Sequence, residues 1–199
     1  MLSHTQIVQK RIFDILLSLM GLLLTWWLMA LAWIVASVET RSNGLFTQER
    51  IGQNAKPFKL FKIKTMKSIA GLDTTVTASN DRRITSSGSY FRRVKIDELP
   101  QLFNVLLGSM SFVGPRPDVA GFADELSGGD SVILTLKPGI TGPASIKYKN
   151  EEEILMRQSN PEKYNREVIW PDKVQINKEY IKHWSFKNDI QYIIKTIIG

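Results

Sequence analysis

The 199-residue chain has no cysteine and only two histidines, His4 and His183. The first absence excludes a thiol nucleophile and cysteine-ligated zinc, and the second argues against a histidine-based triad. Chemistry must therefore rest on carboxylates, hydroxyls, amines or a hard metal ion. Negative charge is in short supply, with 19 Asp and Glu against 26 Lys and Arg and a net charge of +7. No helix-turn-helix signature accompanies the basic surplus, so nucleic acid is not an expected partner. No internal repeat is evident, and the length suits one modest domain.

Charge of either sign is missing from Ile15 to Val38, a run of 24 residues. As a helix this would extend about 36 Å, enough to cross a hydrocarbon core of about 30 Å. A signal peptide has a shorter apolar region and a small-residue cleavage site, so the run reads as a membrane segment. Lys10 and Arg11 precede it and a net-positive remainder follows it, so both flanks claim the cytoplasmic side. A re-entrant hairpin satisfies both flanks, whereas a single crossing frustrates one. The expected organisation is an N-terminal lead and re-entrant (or spanning) membrane helix over 1–39, then a catalytic domain over 40–199 on the cytoplasmic face.

The stretch from Lys95 to Pro117, KIDELPQLFNVLLGSMSFVGPRP, carries the strongest chemical signal. Leu99, Leu102, Phe103, Leu106 and Leu107 recur with helical spacing, Pro100 fits a first turn, and Asp97 suits an N-cap. The plain reading is a cap with Glu98 complementing the helix dipole. Gly114-Pro115-Arg116-Pro117 adds a guanidinium braced between two prolines, whose planar fork matches phosphate oxygens. The alternative for that tetrapeptide is a rigid turn with a solvated arginine.

In this order the two motifs resemble the bacterial polyprenyl-phosphate sugar phosphotransferases, the monotopic phosphoglycosyl transferases. The likeness begins at Lys10-Arg11-Ile12-Phe13-Asp14, continues through Phe46-Thr47-Gln48-Glu49-Arg50-Ile51-Gly52 and Lys56-Pro57-Phe58-Lys59, and reaches Lys137-Pro138-Gly139-Ile140-Thr141-Gly142. It implies an α+β fold, mostly helical with a small β-hairpin, on the inner membrane of a bacterium. The implied reaction transfers a phosphosugar from a UDP-sugar to undecaprenyl phosphate, releasing UMP, at the start of a glycan pathway. Asp97 would be the nucleophile that forms an aspartyl phosphosugar, and Glu98 a magnesium ligand or proton carrier. Arg116, Arg92, Arg50 and Lys62 would bind phosphate or substrate, with Mg2+ as cofactor. Asp14 would be structural at the membrane boundary. Homodimerisation is left open. Two rivals stay in view: a membrane-bound glycosyltransferase releasing UDP, for which no Asp-x-Asp motif is present, and a membrane-tethered basic binding protein.

The chain departs from the family in three places. The Ser-Pro step that breaks the family's re-entrant helix is replaced by Trp26-Trp27, Lys64 stands where relatives usually carry arginine, and Pro143-Ala144-Ser145 replaces a commoner Trp-Ala-Gln. Elsewhere, Leu45–Ile51 and Phe58–Thr65 read as a hairpin and Ser68 to Ser89 as a loop. A helix interrupted at Gly128-Gly129 is expected within Asp118 to Leu136, followed by a tight loop from Lys137 to Gly142. Further helices are punctuated at Asn160-Pro161 and Trp170-Pro171. The Ile190, Ile193, Ile194, Ile197, Ile198 stripe reads as core, with a membrane-surface role as the alternative.

Overall fold

A computed structural model describes residues 2–67 and 81–198. The first element, α1 (His4–Thr40), is a single helix of 37 residues. Ser3 caps it in a reciprocal box, with Ser3 Oγ accepting from the Gln6 amide at 3.3 Å and the Ser3 amide donating to Gln6 Oε1 at 2.8 Å. Arg41 ends it in the left-handed region at φ 49°. By length and composition α1 is able to cross a membrane. It is one continuous helix through Trp26-Trp27. Neither Gly21 nor Thr25 interrupts it, because the Thr25 hydroxyl donates to the Gly21 carbonyl at 2.7 Å and stays on the helix surface.

The expected hairpin forms from β1 (Leu45–Ile51) and β2 (Pro57–Ile63), antiparallel with Gln48 opposite Leu60. Leu60 and Ile63 point into the body. Of the loop expected from Ser68 to Ser89, residues 68–80 lie outside the described residues. Its end is helical: Thr85 caps α2 (Ser86–Arg93) by accepting from the Gly88 amide at 3.0 Å. The Glu39 carboxylate, at the end of α1, accepts from the Ser87 hydroxyl in the first turn of α2. In this stretch the Thr85 hydroxyl serves as a helix cap rather than as part of a longer loop.

After a 3-10 turn (Ile96–Glu98) comes α3 (Gln101–Leu107), closed by Gly108 at φ 89°. Then β3 (Ser111–Val113) pairs in parallel with β4 (Gly139–Thr141). β4 lies within the segment expected to be a tight loop. A pairing so short carries too little alternation to read from sequence. Gly114 and Gly139 are packed so closely that a Cβ on Gly139 would strike the Gly114 backbone, and this contact fixes the base of the Gly-Pro-Arg-Pro turn. Between the strands no α-helix forms; 3-10 turns cover Ala123–Glu125 and Gly128–Thr135. Gly121 and Gly128 adopt positive φ, and Asp124 Oδ1 takes the Gly121 and Phe122 amides at 2.7 and 3.1 Å, an alternative to the helical ladder.

The C-terminal part contains α4 (Pro143–Lys147), α5 (Glu151–Met156), α6 (Pro161–Tyr164), α7 (Trp170–Lys182) and α8 (Phe186–Ile198). Trp170-Pro171 does not punctuate the chain, because a π-helical turn (Asn165–Ile169) joins α6 to α7 and makes room for the proline ring. Val113, Ile133, Leu136, Val174, Tyr180 and Ile181 form one core cluster, with Ile193 against it. Ile194, Ile197 and Ile198 are exposed, so the tail stripe is core only in part. A second cluster joins Ala32 and Ala36 of α1 to Ile63 and Phe91.

Candidate active site

Two segments converge on the Glu98 carboxylate. Lys62, near the end of β2, donates from Nζ to Glu98 Oε1 at 3.1 Å, and Arg116, in the Gly-Pro-Arg-Pro turn, donates from Nη2 to the same oxygen at 2.8 Å. The Glu98 and Lys62 side chains are 11% and 21% exposed, whereas Arg116 is 43% exposed. The guanidinium thus keeps a face toward solvent. Burial alone would raise the Glu98 pKa, but Arg116 and then Lys62 outweigh it and hold the carboxyl far below its ordinary range. Glu98 in turn pushes the Arg116 pKa upward. Burial pulls the Lys62 ammonium downward, with Glu98 opposing.

Asp97 has a different environment. It lies inside the 3-10 turn rather than at an N-cap: α3 opens at Gln101 behind Pro100, with no side-chain cap. The carboxylate that would have capped the helix is left free. Asp97 is buried, and its Oδ1 has no hydrogen-bond partner. Burial, followed by repulsion from Glu98, raises its pKa; Lys62, Lys95 and Arg92 pull the other way. One turn on, Gln101 is 2% exposed and its Nε2 is also unpartnered. Unsatisfied buried polar atoms are uncommon and costly. Asp97 Oδ1 and Gln101 Nε2 are two such atoms, four residues apart in the chain. Gln101 did not stand out in the sequence, where the one signal for it is a polar side chain beside Leu102, four residues after Asp97.

Arg50 belongs to the same charged group. Its Nε and Nη2 donate to Gln48 Oε1 at 3.1 and 2.7 Å, and Nη1 donates to the Pro117 carbonyl at 3.3 Å. It therefore braces the turn that carries Arg116. Burial lowers its pKa, with Asp118 opposing. Arg92 sits at the margin: it acts electrostatically on Asp97, but its Nη2 donates to Glu152 Oε1 on α5 at 2.7 Å. Neighbouring Glu151 accepts from Lys173 at 2.6 Å. Burial raises the pKa of Asp118, against the pull of Lys173 and Arg50. None of these acidic partners stood out in the sequence, since each joins residues far apart in the chain.

Asp14 is remote from this cluster and 2% exposed. Its Oδ1 accepts from Ser111 Oγ at 3.1 Å and the Phe112 amide at 3.0 Å, tying α1 to β3. A structural role follows. Among the described residues no cluster of three or more His, Cys, Asp or Glu could hold a metal by itself. The donors present do suit a hard ion shared with a ligand's phosphates: both cationic contacts of Glu98 fall on Oε1, leaving Oε2 free, and Asp97 Oδ1 is unpartnered.

The bacterial sugar transferase family model matches residues 5–199, and the chain belongs to that family. It is 35% identical to a UDP-glucose:undecaprenyl-phosphate glucose-1-phosphate transferase of Escherichia coli (strain K12), over 98% of this chain and 41% of that protein. It is 35% identical to an undecaprenyl-phosphate glucose phosphotransferase of Komagataeibacter xylinus, over 98% of this chain and 36% of the relative. For an undecaprenyl-phosphate galactose phosphotransferase of Salmonella typhimurium (strain LT2), the identity is 32% over 94% and 39% of the two chains. The chain thus spans about two fifths of the length of these relatives.

Proposed function

We propose that the protein transfers a phosphosugar from a UDP-sugar to undecaprenyl phosphate at the cytoplasmic face of a bacterial inner membrane. The observation that carries this reading is the buried Asp97 carboxylate, with an unpartnered oxygen beside a fixed ion cluster. A diphosphate donor and a phosphate acceptor repel each other, so cations must neutralise them before bonds exchange. Arg116 supplies a solvent-facing guanidinium suited to two phosphate oxygens, and Arg50 fixes the turn beneath it.

In the proposed first step Asp97 Oδ1 attacks the phosphorus that bears the sugar. The bond from that phosphorus to the UMP oxygen breaks, and UMP leaves with the electron pair. In the second step an oxygen of undecaprenyl phosphate attacks the same phosphorus and the aspartyl–phosphorus bond breaks, regenerating the carboxylate and giving the lipid diphosphate sugar. Glu98 would hold a Mg2+ ion, which when bound would supply neutralisation of phosphate charge. Lys62 and Arg116 hold Glu98 ionised and oriented for that duty.

The test is a donor panel with Mg2+ and no acceptor lipid, read by UMP release and by acid trapping of protein-bound phosphosugar. A stoichiometric adduct that maps to Asp97, discharged by added undecaprenyl phosphate, is the expected result. Release of UDP instead would assign a glycosyltransferase. UMP release only when both substrates are present, with no adduct, would remove the covalent step.

A further inference from the structure

We infer that Asn104 is a positioning residue of the transfer site: its side-chain amide clamps the open edge of β2 to α3 and so places Lys62 against Glu98. This rests on the proposed phosphosugar transfer and goes beyond it by giving a role to a residue outside the charged cluster. Asn104 lies in the middle of α3 and is 1% exposed. A polar side chain at that depth is costly unless its hydrogen bonds are met, and here they are. Oδ1 accepts from the Phe61 amide at 3.0 Å, while Nδ2 donates to the Lys59 carbonyl at 2.7 Å and to Ser109 Oγ at 3.2 Å. Leu60, between the two clamped residues, shares an apolar cluster with Val105, the residue after Asn104.

The two bonds to β2 have the form of a strand pairing. In a parallel ladder one residue accepts from an amide of its neighbour and donates to the carbonyl two residues earlier. The Asn104 amide takes the Phe61 N–H and the Lys59 carbonyl in that way. A helix side chain thus stands in for a strand on a two-stranded ribbon, whose outer edge would otherwise offer unpaired backbone groups. The clamp also selects a register. Backbone groups of successive strand residues point to opposite edges, so a slip of β2 by one residue breaks both bonds.

Both members of the Lys62–Glu98 pair are tied to this one amide. Lys62 follows Phe61 directly, and its Nζ reaches Glu98 Oε1 at 3.1 Å. Glu98 lies on the 3-10 turn that leads into α3, and Leu99 and Pro100 between them keep helical backbone angles. About two helical turns therefore carry the clamp's position back to Glu98. From behind, the Asn104 carbonyl accepts the Gly108, Ser109 and Met110 amides at 3.1, 3.0 and 3.1 Å, which fixes the clamp to the segment leading into β3 and the Arg116 turn.

Closing a sheet edge and positioning a lysine are separable duties. Loss of an edge contact alone lowers stability and leaves the chemistry of folded molecules intact. Loss of positioning is felt in turnover, because a displacement of about 1 Å remote from the chemistry can cost about 10²-fold. The site of the clamp argues for the second duty. A lysine stem is long and flexible, so its ammonium is placed only where its backbone is, and the clamp holds β2 at the residue next to Lys62.

The test uses the full chain in nanodiscs, with UMP release from a panel of UDP-sugars. Asn104→Ala removes the clamp, and Asn104→Asp keeps its shape and the acceptor for Phe61 while setting a carboxylate oxygen against the Lys59 carbonyl. For each, kcat per folded molecule should fall by about 10–100-fold with donor KM little changed. In a Lys62→Met background the same changes should cost less than about twofold, because the two residues act as one unit. A lower melting temperature with kcat per folded molecule intact would make Asn104 a structural residue and overturn the inference. So would a loss that persists in full without Lys62. If Asn104→Ala fails to fold, Asn104→Asp decides by the same measures. Independently of turnover, an amine-reactive acyl reagent mapped by mass spectrometry should label Lys62 severalfold faster in Asn104→Asp, with Lys178, paired to Asp130 at 2.7 Å, unchanged. An unchanged rate at Lys62, or a rise at both lysines, would overturn the inference as well. A wild type that releases no UMP would remove the transferase reading and leave Lys62 labelling to judge the clamp.

Discussion

Two buried ionic clusters in this protein are built from similar parts and finished differently. In one, Asp189 accepts from Lys10 at 2.6 Å, from the Tyr180 hydroxyl at 2.7 Å and from the Trp184 indole at 3.1 Å. Lys10 and Asp189 are 7% and 2% exposed, and the cluster clasps α1 to α7 and α8. In the other, Glu98 takes Lys62 and Arg116, but Arg116 opens to solvent and adjacent Asp97 keeps an oxygen without a partner. The first cluster is complete, as a structural device should be. The second is complete on Glu98 and incomplete on Asp97, the residue on which the proposed chemistry would act.

The sharpest way to break this contrast is Asp97→Asn. Loss of a nucleophile has cost on the order of 10⁶ in kcat elsewhere, so adduct formation and UMP release should fall below detection. Stability should move the opposite way. Burial and Glu98 raise the Asp97 pKa in the fold, so its ionised form is disfavoured by folding. Its contribution is therefore best at acid pH and worsens as pH rises through the folded pKa. The neutral amide escapes that cost, and the unfolding free energy at pH 7 should rise by roughly 1 kcal/mol. For the wild type, the first half-reaction should lose rate on acidification from above the ordinary aspartate range. Retained turnover, or a lower melting temperature with activity lost, would show that Asp97 is a structural residue after all.

The complementary change, Asp189→Asn, tests the closed cluster. Lys10 would be left as a buried ammonium facing an amide, and breaking a buried pair in this way costs about 3–5 kcal/mol. The expected readout is a large drop in the unfolding midpoint in nanodiscs, with kcat per folded molecule retained. An unchanged midpoint would mean that the clasp contributes little and that apolar packing alone holds α1.

What could be read from the sequence follows the same division. Asp97, Glu98 and Arg116 were legible because adjacent acids and a proline-braced arginine are local patterns, whereas Lys62 came only with the family resemblance, since burial along β2 does not alternate. The apolar stretch of α1 was equally plain, since 24 uncharged residues have few other uses. Its packing was not. Whether Lys10 meets Asp189, or Asp14 meets Ser111, depends on contacts across 179 and 97 positions that no local period encodes. β3 and β4 escaped for the same reason, being three residues each and joined by register rather than sequence proximity. The cap assigned to Asp97 was wrong in an informative way: a residue type that favours N-caps occurs one 3-10 turn early, where its carboxylate is free for other work.

The smallest expected effect belongs at the margin of the site, where Arg92 is engaged by Glu152 across an exposed pair with side-chain exposures of 25% and 47%. Pairs this open contribute about 0.2–1 kcal/mol, so Glu152→Gln should leave the melting point nearly unchanged. Arg92 acts on Asp97 electrostatically, and releasing it from Glu152 adds its charge to the field that a diphosphate donor meets. The donor KM should therefore fall by about twofold at low ionic strength, with the difference shrinking as salt is added. A rise in KM would mean instead that Glu152 holds Arg92 in its productive position, and the boundary of the open cluster would then have to be drawn to include α5.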